Sequence, residues 1–271
     1  MPAILLNHRI LEQQPLESQP VREPQVVVLL HGLFGSLTNL ASLGRALSEN
    51  YRVILADLRN HGDSPHSDDM SYPLMAQDIE QLLNSLNIQR AHFVGHSMGG
   101  KVAMQVALNH ANRVNKLVVA DIAPVTYRAT TNLGALEGLC ALQHADLHTR
   151  KDADNLLAAH ISEPGIRAFL LKNLIRNDKG QFQLKLNMSS IAANYAKTLN
   201  LAPEPSPQGQ PFIGPTLFIK GSDSAYIQEK HRETINRLFP NAQLKIIQGT
   251  GHWLHAEKPE IFNRLVQQFL L

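Results

Sequence analysis

The chain of 271 residues is long enough for one large domain, and its hydrophobic content of 44% is that of an ordinary globular protein. The formal net charge is +2, from 25 basic and 23 acidic residues without a long run of either sign. A nucleic-acid or membrane-surface partner is therefore disfavoured, and a small-molecule partner is expected. Cys140 is the only cysteine, which excludes an intrachain disulfide and favours a reducing compartment.

The N-terminal segment does not resemble a targeting signal. Its apolar stretch stops at Asn7, which leaves it too short for the core of a signal peptide. No segment approaches the roughly 18 consecutive apolar residues that a spanning helix needs. We therefore expect a cytoplasmic protein without a membrane span, and the sequence does not indicate an oligomeric state.

From Gln25 onward, short runs of Val, Ile and Leu alternate with stretches that repeat apolar residues at helical spacing. This alternation predicts an α/β fold, with a mostly parallel twisted sheet and helices on both faces. The predicted strands are 26–30, 52–56, 91–95, 116–120, 215–219 and 243–247, with a further edge strand within 3–11. The helices predicted between them are 38–49, 72–86, 98–110, 227–238 and 257–270.

The alternation stops after the fourth strong strand. Helices are predicted there at 131–145, 149–161, 164–175 and 188–199, and a proline-rich segment at 202–207 ends this region. We interpret residues 123–204 as a helical cap inserted into a core made of residues 1–122 and 205–271. Such a cap would shape a pocket at the carboxyl ends of the strands, and cap residues such as Phe169 and Leu170 would set the preferred acyl chain length. The alternative is a second packing layer without a role in substrate binding.

The strongest chemical signal is the segment GHSMG at residues 95–99, between a predicted strand and a predicted helix. The pattern G-x-S-x-G is typical of a nucleophile elbow, in which the serine occupies a strained turn and the glycines keep side chains clear of the neighbouring backbone. Ser97 is therefore the predicted nucleophile. Its place at a helix N-terminus favours negative charge that develops nearby. The alternative is a Gly-Ser turn without chemistry.

The segment HGLFG at residues 31–35 directly follows the first strong strand, where an oxyanion loop belongs. Backbone amides held ready for the negative oxygen of a tetrahedral intermediate contribute about 3 kcal/mol each. We assign this role to the amides of Met98 and Phe34. Leu33 is the alternative to Phe34, because the sequence does not fix the register of the turn. His31 is interpreted as structural.

A histidine on the loop after the last predicted strand is the predicted base. Residues 251–253 read GHW, and His252 completes the chain order Ser, acid, His expected with such an elbow. The nearby His255 is the rival, but we interpret it as a helix-capping or surface residue. The 13 histidines show no zinc-site spacing and no H-E-x-x-H motif, so no metal is expected.

Several segments together resemble the α/β-hydrolase superfamily, and they are HGLFG at 31–35, DLRNHGDS at 57–64, GHSMGG at 95–100 and GTGHW at 249–253. The resemblance runs from about residue 25 to the C-terminus. Within the superfamily, the chain resembles small bacterial esterases more than C–C hydrolases or haloperoxidases, on the segments DLRNHG, ADIAPV at 120–125 and GHWLHAEKP at 251–259. This resemblance implies hydrolysis of carboxylic esters or acyl thioesters, including acyl-CoA. Haloalkane dehalogenases and epoxide hydrolases are disfavoured because they carry aspartate at the elbow.

The acid departs from the superfamily pattern. Most members place it last in a G-x-x-D turn after the strand that corresponds to 215–219, but here that turn reads GSDS at residues 221–224. Ser224 can form a hydrogen bond, but it brings no charge to stabilise an imidazolium. The remaining candidates are Asp223, one residue early in the turn, and Asp121, at the end of the preceding strand.

We favour Asp121 as the acid. Adjacent strand ends lie roughly 5 Å apart, so an aspartate one strand over can reach His252, whereas Asp223 would require a rearranged turn. Ser224 would then be a secondary hydrogen-bond partner of the histidine or the aspartate. Of the other polar residues near the site, Asp57 is interpreted as structural and Arg59 as a contact for an anionic substrate group.

The sequence therefore predicts a serine hydrolase, a carboxylesterase or acyl thioesterase, which works through an acyl-Ser97 intermediate without an organic cofactor or a metal. One alternative is C–C bond hydrolysis or perhydrolysis on the same fold. The other is a ligand-binding homologue with weak or no catalysis, for which the departure at position 224 is the best support.

Overall fold

The computed structural model describes residues 2–12, 24–128 and 133–271. Nine strands are found in this part of the chain: β1 (His8–Leu11), β2 (Val26–Leu30), β3 (Arg52–Ala56), β4 (Ala91–His96), β5 (Val114–Ala120), β6 (Leu174–Arg176), β7 (Phe182–Leu184), β8 (Thr216–Gly221) and β9 (Ala242–Ile247). Seven of them form one sheet in the order β1-β3-β2-β4-β5-β8-β9. All neighbours in this sheet run parallel except β1, which lies antiparallel to β3 at the edge.

The described part of the chain also contains ten α-helices: α1 (Ala41–Leu47), α2 (Tyr72–Ser85), α3 (Met98–Asn109), α4 (Leu133–Gln143), α5 (Arg150–Ala158), α6 (Pro164–Leu170), α7 (Met188–Asn194), α8 (Arg232–Leu238), α9 (Leu254–Glu257) and α10 (Pro259–Leu270). The central strands are buried on both faces, because α2, α3 and α8 cover one face and α1 and α10 the other. This arrangement confirms the predicted fold class. None of the helices in the described ranges is long and apolar enough to cross a bilayer.

Between β5 and β8 the chain forms helices α4 to α7 and the antiparallel hairpin β6–β7. The sequence predicts the helices but not the hairpin, because its strands are only three residues long and half-buried, too short to show an alternating pattern. The start of the predicted helix 131–145 falls on residues outside the described ranges. The limits of the cap, 123–204, stay a prediction.

Parallel strands present their carboxyl ends at one edge of a sheet. The ends of β2, β4, β5, β8 and β9 therefore lie side by side, and each is followed by a segment that carries a predicted site residue. Because β4 pairs with β5, the segment after His96 lies next to the segment after Ala120. Because β5 pairs with β8, the segment after Ala120 also lies next to the end of β8 at Gly221. Sheet order thus brings together residues that are far apart in sequence.

Candidate active site

Ser97 lies in the sharp turn between β4 and α3. Its backbone has φ 53° and ψ −118°, a conformation that residues other than glycine rarely adopt. The N–H of Ser97 donates to the carbonyl oxygen of Ala120 at 3.0 Å, which holds the turn against the end of β5. A strained, well-anchored turn keeps the Ser97 hydroxyl in a fixed position.

The two glycines of the elbow are required by close backbone approach. A Cβ on Gly95 would lie 2.2 Å from the carbonyl oxygen of Gly99, and a Cβ on Gly99 would lie 2.4 Å from that of Leu30. Both distances are far shorter than a carbon–oxygen contact allows, and the obstructing atoms are backbone. This packing is the physical reason for the G-x-S-x-G spacing.

His252 follows β9 and faces Ser97. Its Nε2 lies 3.0 Å from Ser97 Oγ, and its Nδ1 lies 2.8 Å from Asp121 Oδ2. Because a carboxylate only accepts hydrogen bonds, Nδ1 carries the proton and Nε2 presents a lone pair to the serine hydroxyl. His96 donates from Nε2 to the carbonyl oxygen of His252 at 2.8 Å and fixes the loop backbone.

Asp121, at the end of β5, is fully buried and has a left-handed backbone with φ 51°. Its Oδ2 accepts from His252 Nδ1 and also from the hydroxyl of Ser224, while its Oδ1 accepts from the N–H of Gly221 at 3.1 Å. Asp223 is exposed and accepts instead from the hydroxyl of Ser222 at 2.8 Å. Of the two candidate acids, the structure therefore brings Asp121 to the histidine, and Ser224 contacts the aspartate.

The structure contradicts the assignment of the Phe34 amide to the oxyanion hole. The N–H of Phe34 donates to Nε2 of His61 at 3.2 Å, so it is already used within the protein. The turn closes by a bond from Gly35 N–H to the Gly32 carbonyl, and Phe34 has φ 61°. A positive φ at the second central residue reverses the peptide plane between the central residues, a choice that the sequence leaves open.

Leu33, the alternative, takes the place of Phe34. Its amide has no hydrogen-bond partner within the described part of the chain, and Leu33 lies beside Ser97 at the wall of the same cavity. Met98 is the first residue of α3, where amides lack an intrahelical acceptor. These two amides are the available donors for a negatively charged oxygen next to Ser97.

Buried histidines support the site without carrying charge. His31 accepts from the N–H of Leu58 at 3.0 Å and contacts the Gly32 carbonyl, so it is structural. Burial lowers the pKa of His31 to about 4, and burial with the neighbouring His31 lowers that of His61 to about 3. Both rings are therefore neutral near pH 7, and both brace the loop that carries Leu33.

His255 differs from its predicted surface or capping role. It is buried within α9, and its ring centroid lies 4.3 Å from that of His96. Burial and the nearby His252 lower the pKa of His255 to about 3, while burial and the neighbouring histidines lower that of His96. His96 and His255 therefore stay neutral near pH 7 and do not compete with His252 for the Ser97 proton. His252 differs from both because its ring contacts the Asp121 carboxylate.

The loop after β3 is held by buried polar groups. Asp57 accepts from the N–H of Leu37 at 2.7 Å and the N–H of Asp63 at 3.0 Å, consistent with a structural role. The predicted substrate contact of Arg59 is wrong. Its guanidinium is completely buried and forms two hydrogen bonds of 2.7 Å with the carboxylate of Asp78, so it faces the interior.

Two cavities open on Ser97. The large cavity, of about 210 Å³, is bounded by Ser97, His252 and Trp253 and by residues of α6 that include Phe169 and Leu170. The small cavity, of about 40 Å³, shares Ser97 and Leu33 with the large one and is otherwise walled by different residues, among them Met98, Lys101, Ile122, Tyr127, Tyr195 and Tyr226. The nucleophile thus borders both spaces.

Comparison with known proteins places this arrangement in a family. The model of the family described as alpha/beta hydrolase fold matches residues 25–259. The chain belongs to the α/β-hydrolase family. The match includes every residue of the site described above.

Individual relatives of this α/β hydrolase carry esterase or lipase names. It is 36% identical to "Esterase YbfF" from Escherichia coli (strain K12), over 96% of this chain and 98% of that protein. It is 42% identical to "sn-1-specific diacylglycerol lipase ABHD11" from Mus musculus, over 90% of this chain and 80% of that one. A solved structure called "Marine microorganism esterase" has a TM-score of 0.89 and 37% identity, and the match covers 98% of this chain and all of that one. These similarities support a hydrolase of the esterase or lipase kind and confirm the resemblance to small bacterial esterases.

Two further residues of this α/β hydrolase were missed by sequence reasoning. Tyr226 stacks on His252, with ring centroids 4.0 Å apart and an interplanar angle of 25°. Lys101 is buried one helical turn after Ser97, and its N–H donates to the Ser97 carbonyl at 3.1 Å. The i, i+4 spacing of Ser97 and Lys101 is a signal for a shared helix face, but no local pattern indicates the stacking of Tyr226.

Proposed function

We propose that the chain is a serine carboxylesterase or acyl thioesterase. The observation that carries the proposal is the continuous chain of hydrogen bonds from Ser97 Oγ through the His252 ring to the buried carboxylate of Asp121. A serine hydroxyl is a weak nucleophile at neutral pH, and an adjacent base oriented by a third group activates it. The three groups have the separations that such activation needs.

The reaction proceeds in two stages. Ser97 Oγ attacks the acyl carbon while His252 Nε2 accepts the hydroxyl proton, and a tetrahedral intermediate forms. Its collapse breaks the bond to the leaving oxygen or sulfur, which receives the proton from His252. A water molecule then attacks the acyl-Ser97 ester and loses its proton to His252. The second intermediate collapses as His252 returns this proton to Ser97 Oγ, which frees the serine and releases the carboxylic acid.

The negative oxygen of each intermediate faces the amides of Leu33 and Met98. Hydrogen bonds from preorganised amides stabilise this oxygen more than the ground-state carbonyl. The position of Met98 at the start of α3 adds the favourable end of the helix dipole. Catalysis in this scheme uses no metal and no organic cofactor.

Asp121 keeps His252 in the reactive tautomer and offsets the positive charge of the imidazolium. The hydroxyl of Ser224 and the N–H of Gly221 donate two further hydrogen bonds to this carboxylate, which is fully buried. A serine at the usual acid position is thus compatible with catalysis, because the charge comes from the neighbouring strand. This removes the main support for a non-catalytic ligand-binding homologue.

The substrate class we propose is that of small carboxylic esters or thioesters, acyl-CoA among them. The predicted cap, residues 123–204, supplies the apolar side chains Ile166, Phe169 and Leu170 to the large cavity. The names of the relatives, an esterase and a diacylglycerol lipase, support ester hydrolysis over C–C bond hydrolysis or perhydrolysis. A cytoplasmic location stays a prediction.

The test is covalent labelling and turnover. The wild-type protein is expected to react with a fluorophosphonate and to hydrolyse p-nitrophenyl acetate, and Ser97→Ala is expected to lose both because it lacks the attacking oxygen. Ser222→Ala is the matched control, since Ser222 lies on the nearby turn and contacts Asp223. Labelling that persists in folded Ser97→Ala would refute the assignment of the nucleophile.

A further inference from the structure

The large and small cavities differ in their access to His252. His252 contributes to the wall of the large cavity but not to that of the small one. Tyr226 contributes to the wall of the small cavity and stacks on the His252 ring at 4.0 Å. The phenol of Tyr226 therefore stands between the imidazole and the small cavity.

The position of His252 determines which part of an ester enters which cavity. When the tetrahedral intermediate collapses, His252 Nε2 donates a proton to the leaving oxygen or sulfur, and this atom must lie within hydrogen-bond reach of the ring. The leaving group therefore lies on the side of the large cavity. The acyl chain is attached to the same carbon and extends to the other side of Ser97.

We infer that the small cavity is the acyl subsite and the large cavity the leaving-group subsite, so that the enzyme is selective for short acyl chains joined to a larger alcohol or thiol. This inference rests on the proposed function and makes it more specific. The smaller space, of about 40 Å³, favours a short acyl group, and the larger one, of about 210 Å³, accommodates a larger leaving group.

The wall of the small cavity includes the buried side chain of Lys101, which opposes the entry of longer chains. Lys101 Nζ donates to the carbonyl oxygens of Asn200, at 3.2 Å, and Leu201. It also lies 4.9 Å from the ring centroid of Tyr127 and 5.4 Å from that of Tyr72. A longer chain that extends past this wall would have to displace the buried amino group of Lys101 from these partners and put methylene groups in their place, which is unfavourable.

This assignment revises the expectation for cap residues Phe169 and Leu170. Both lie at the large cavity, so they select the alcohol or thiol and not the acyl chain. The acyl chain instead meets Tyr195 and Leu199 at the end of the same inserted segment, where it returns to the core. Two parts of one insertion therefore act on two halves of the substrate.

Two series of esters test the assignment. In the first, the leaving group is p-nitrophenol and the acyl chain grows from acetyl to octanoyl. In the second, the acyl group is acetyl and the alcohol grows from ethanol to octanol, with acid release followed in a pH-stat. The variants are Tyr195→Ala and Phe169→Ala, which both replace an aromatic side chain of the inserted segment by a methyl group but at different cavities.

For the wild type we expect kcat/KM to fall at least about tenfold from butanoyl to octanoyl and to stay level or rise with alcohol length. Tyr195→Ala should raise the octanoyl-to-butanoyl ratio about tenfold and leave the alcohol profile unchanged, whereas Phe169→Ala should alter the alcohol profile alone. If Tyr195→Ala does not fold, Leu199→Ala tests the same wall. A wild type that accepts octanoyl and butanoyl equally, or an acyl profile that responds to Phe169→Ala and not to the small-cavity variants, would overturn the inference. Absence of both ester turnover and Ser97 labelling would instead refute the proposed function.

Discussion

Replacement of Asp121 by asparagine tests the part of the site that departs from the superfamily pattern. Asparagine has nearly the same shape as aspartate and tolerates the left-handed backbone at this position, where φ is 51°. The change therefore removes the charge and one acceptor without forcing the chain to move. The amide group can donate to His252 Nδ1, which would place the histidine proton on Nε2, toward the nucleophile.

We expect Asp121→Asn to lower kcat by about 10⁴, the effect of the same change in other serine hydrolases with this triad, which corresponds to about 5.4 kcal/mol. The magnitude follows from burial, since Asp121 is fully buried and its charge acts on His252 across 2.8 Å without solvent between them. Ser224→Ala removes one hydrogen bond to this carboxylate but no charge, and should cost about 1.5 kcal/mol, roughly tenfold in kcat.

The assay is the steady-state hydrolysis of p-nitrophenyl acetate by folded protein, with circular dichroism and thermal unfolding measured for every variant. Asp223→Asn is the matched control, because Asp223 belongs to the adjacent turn, is exposed and contacts Ser222. It should retain wild-type kcat within about a factor of two, since the charge of an exposed carboxylate is well screened by solvent.

Near wild-type kinetics for Asp121→Asn would refute the argument that a carboxylate from β5 supplies the charge. A decrease of kcat in Asp223→Asn as large as that in Asp121→Asn would refute it as well. A loss in Ser224→Ala as large as that in Asp121→Asn would mean that the hydroxyl orients the histidine on its own.

Two further predictions concern buried charges. Arg59→Leu should lower the free energy of unfolding in urea by about 3–5 kcal/mol, because it leaves the Asp78 carboxylate buried and unpaired. The KM for the ester should stay unchanged. A raised KM with unchanged stability would instead support a contact between Arg59 and the substrate. Burial lowers the pKa of Lys101 from 10.5 to about 7, so between these pH values the unfolded chain binds more protons than the folded one. The stability of the wild type relative to Lys101→Met should therefore rise with pH over this window, by up to about 1.4 kcal/mol per pH unit. The phenols of Tyr72 and Tyr127, which face Lys101, stay neutral in this window because burial raises their pKa, so they do not contribute to the slope. Unfolding curves that keep the same difference from pH 7 to 10 would contradict this.

Local sequence alone determined the features that depend on neighbouring residues. The strands and helices of the core follow from apolar periodicity, and the predicted nucleophile Ser97 follows from glycines that the turn requires at 95 and 99. The placement of His252 likewise follows from a short loop between β9 and α9. Each of these signals lies within a few residues, where backbone sterics and periodicity act directly.

Only the tertiary structure decided the choices that involve distant segments. Asp121 contacts His252 and Ser224 because β8 pairs with β5, and this neighbour relation cannot be read from either strand separately. The Phe34 amide turns to His61, and Arg59 turns inward, because the partners are set by packing between separate loops and helices. Such contacts depend on which segments meet in the folded chain and on the orientation of each peptide plane and side chain, and local spacing does not determine either one.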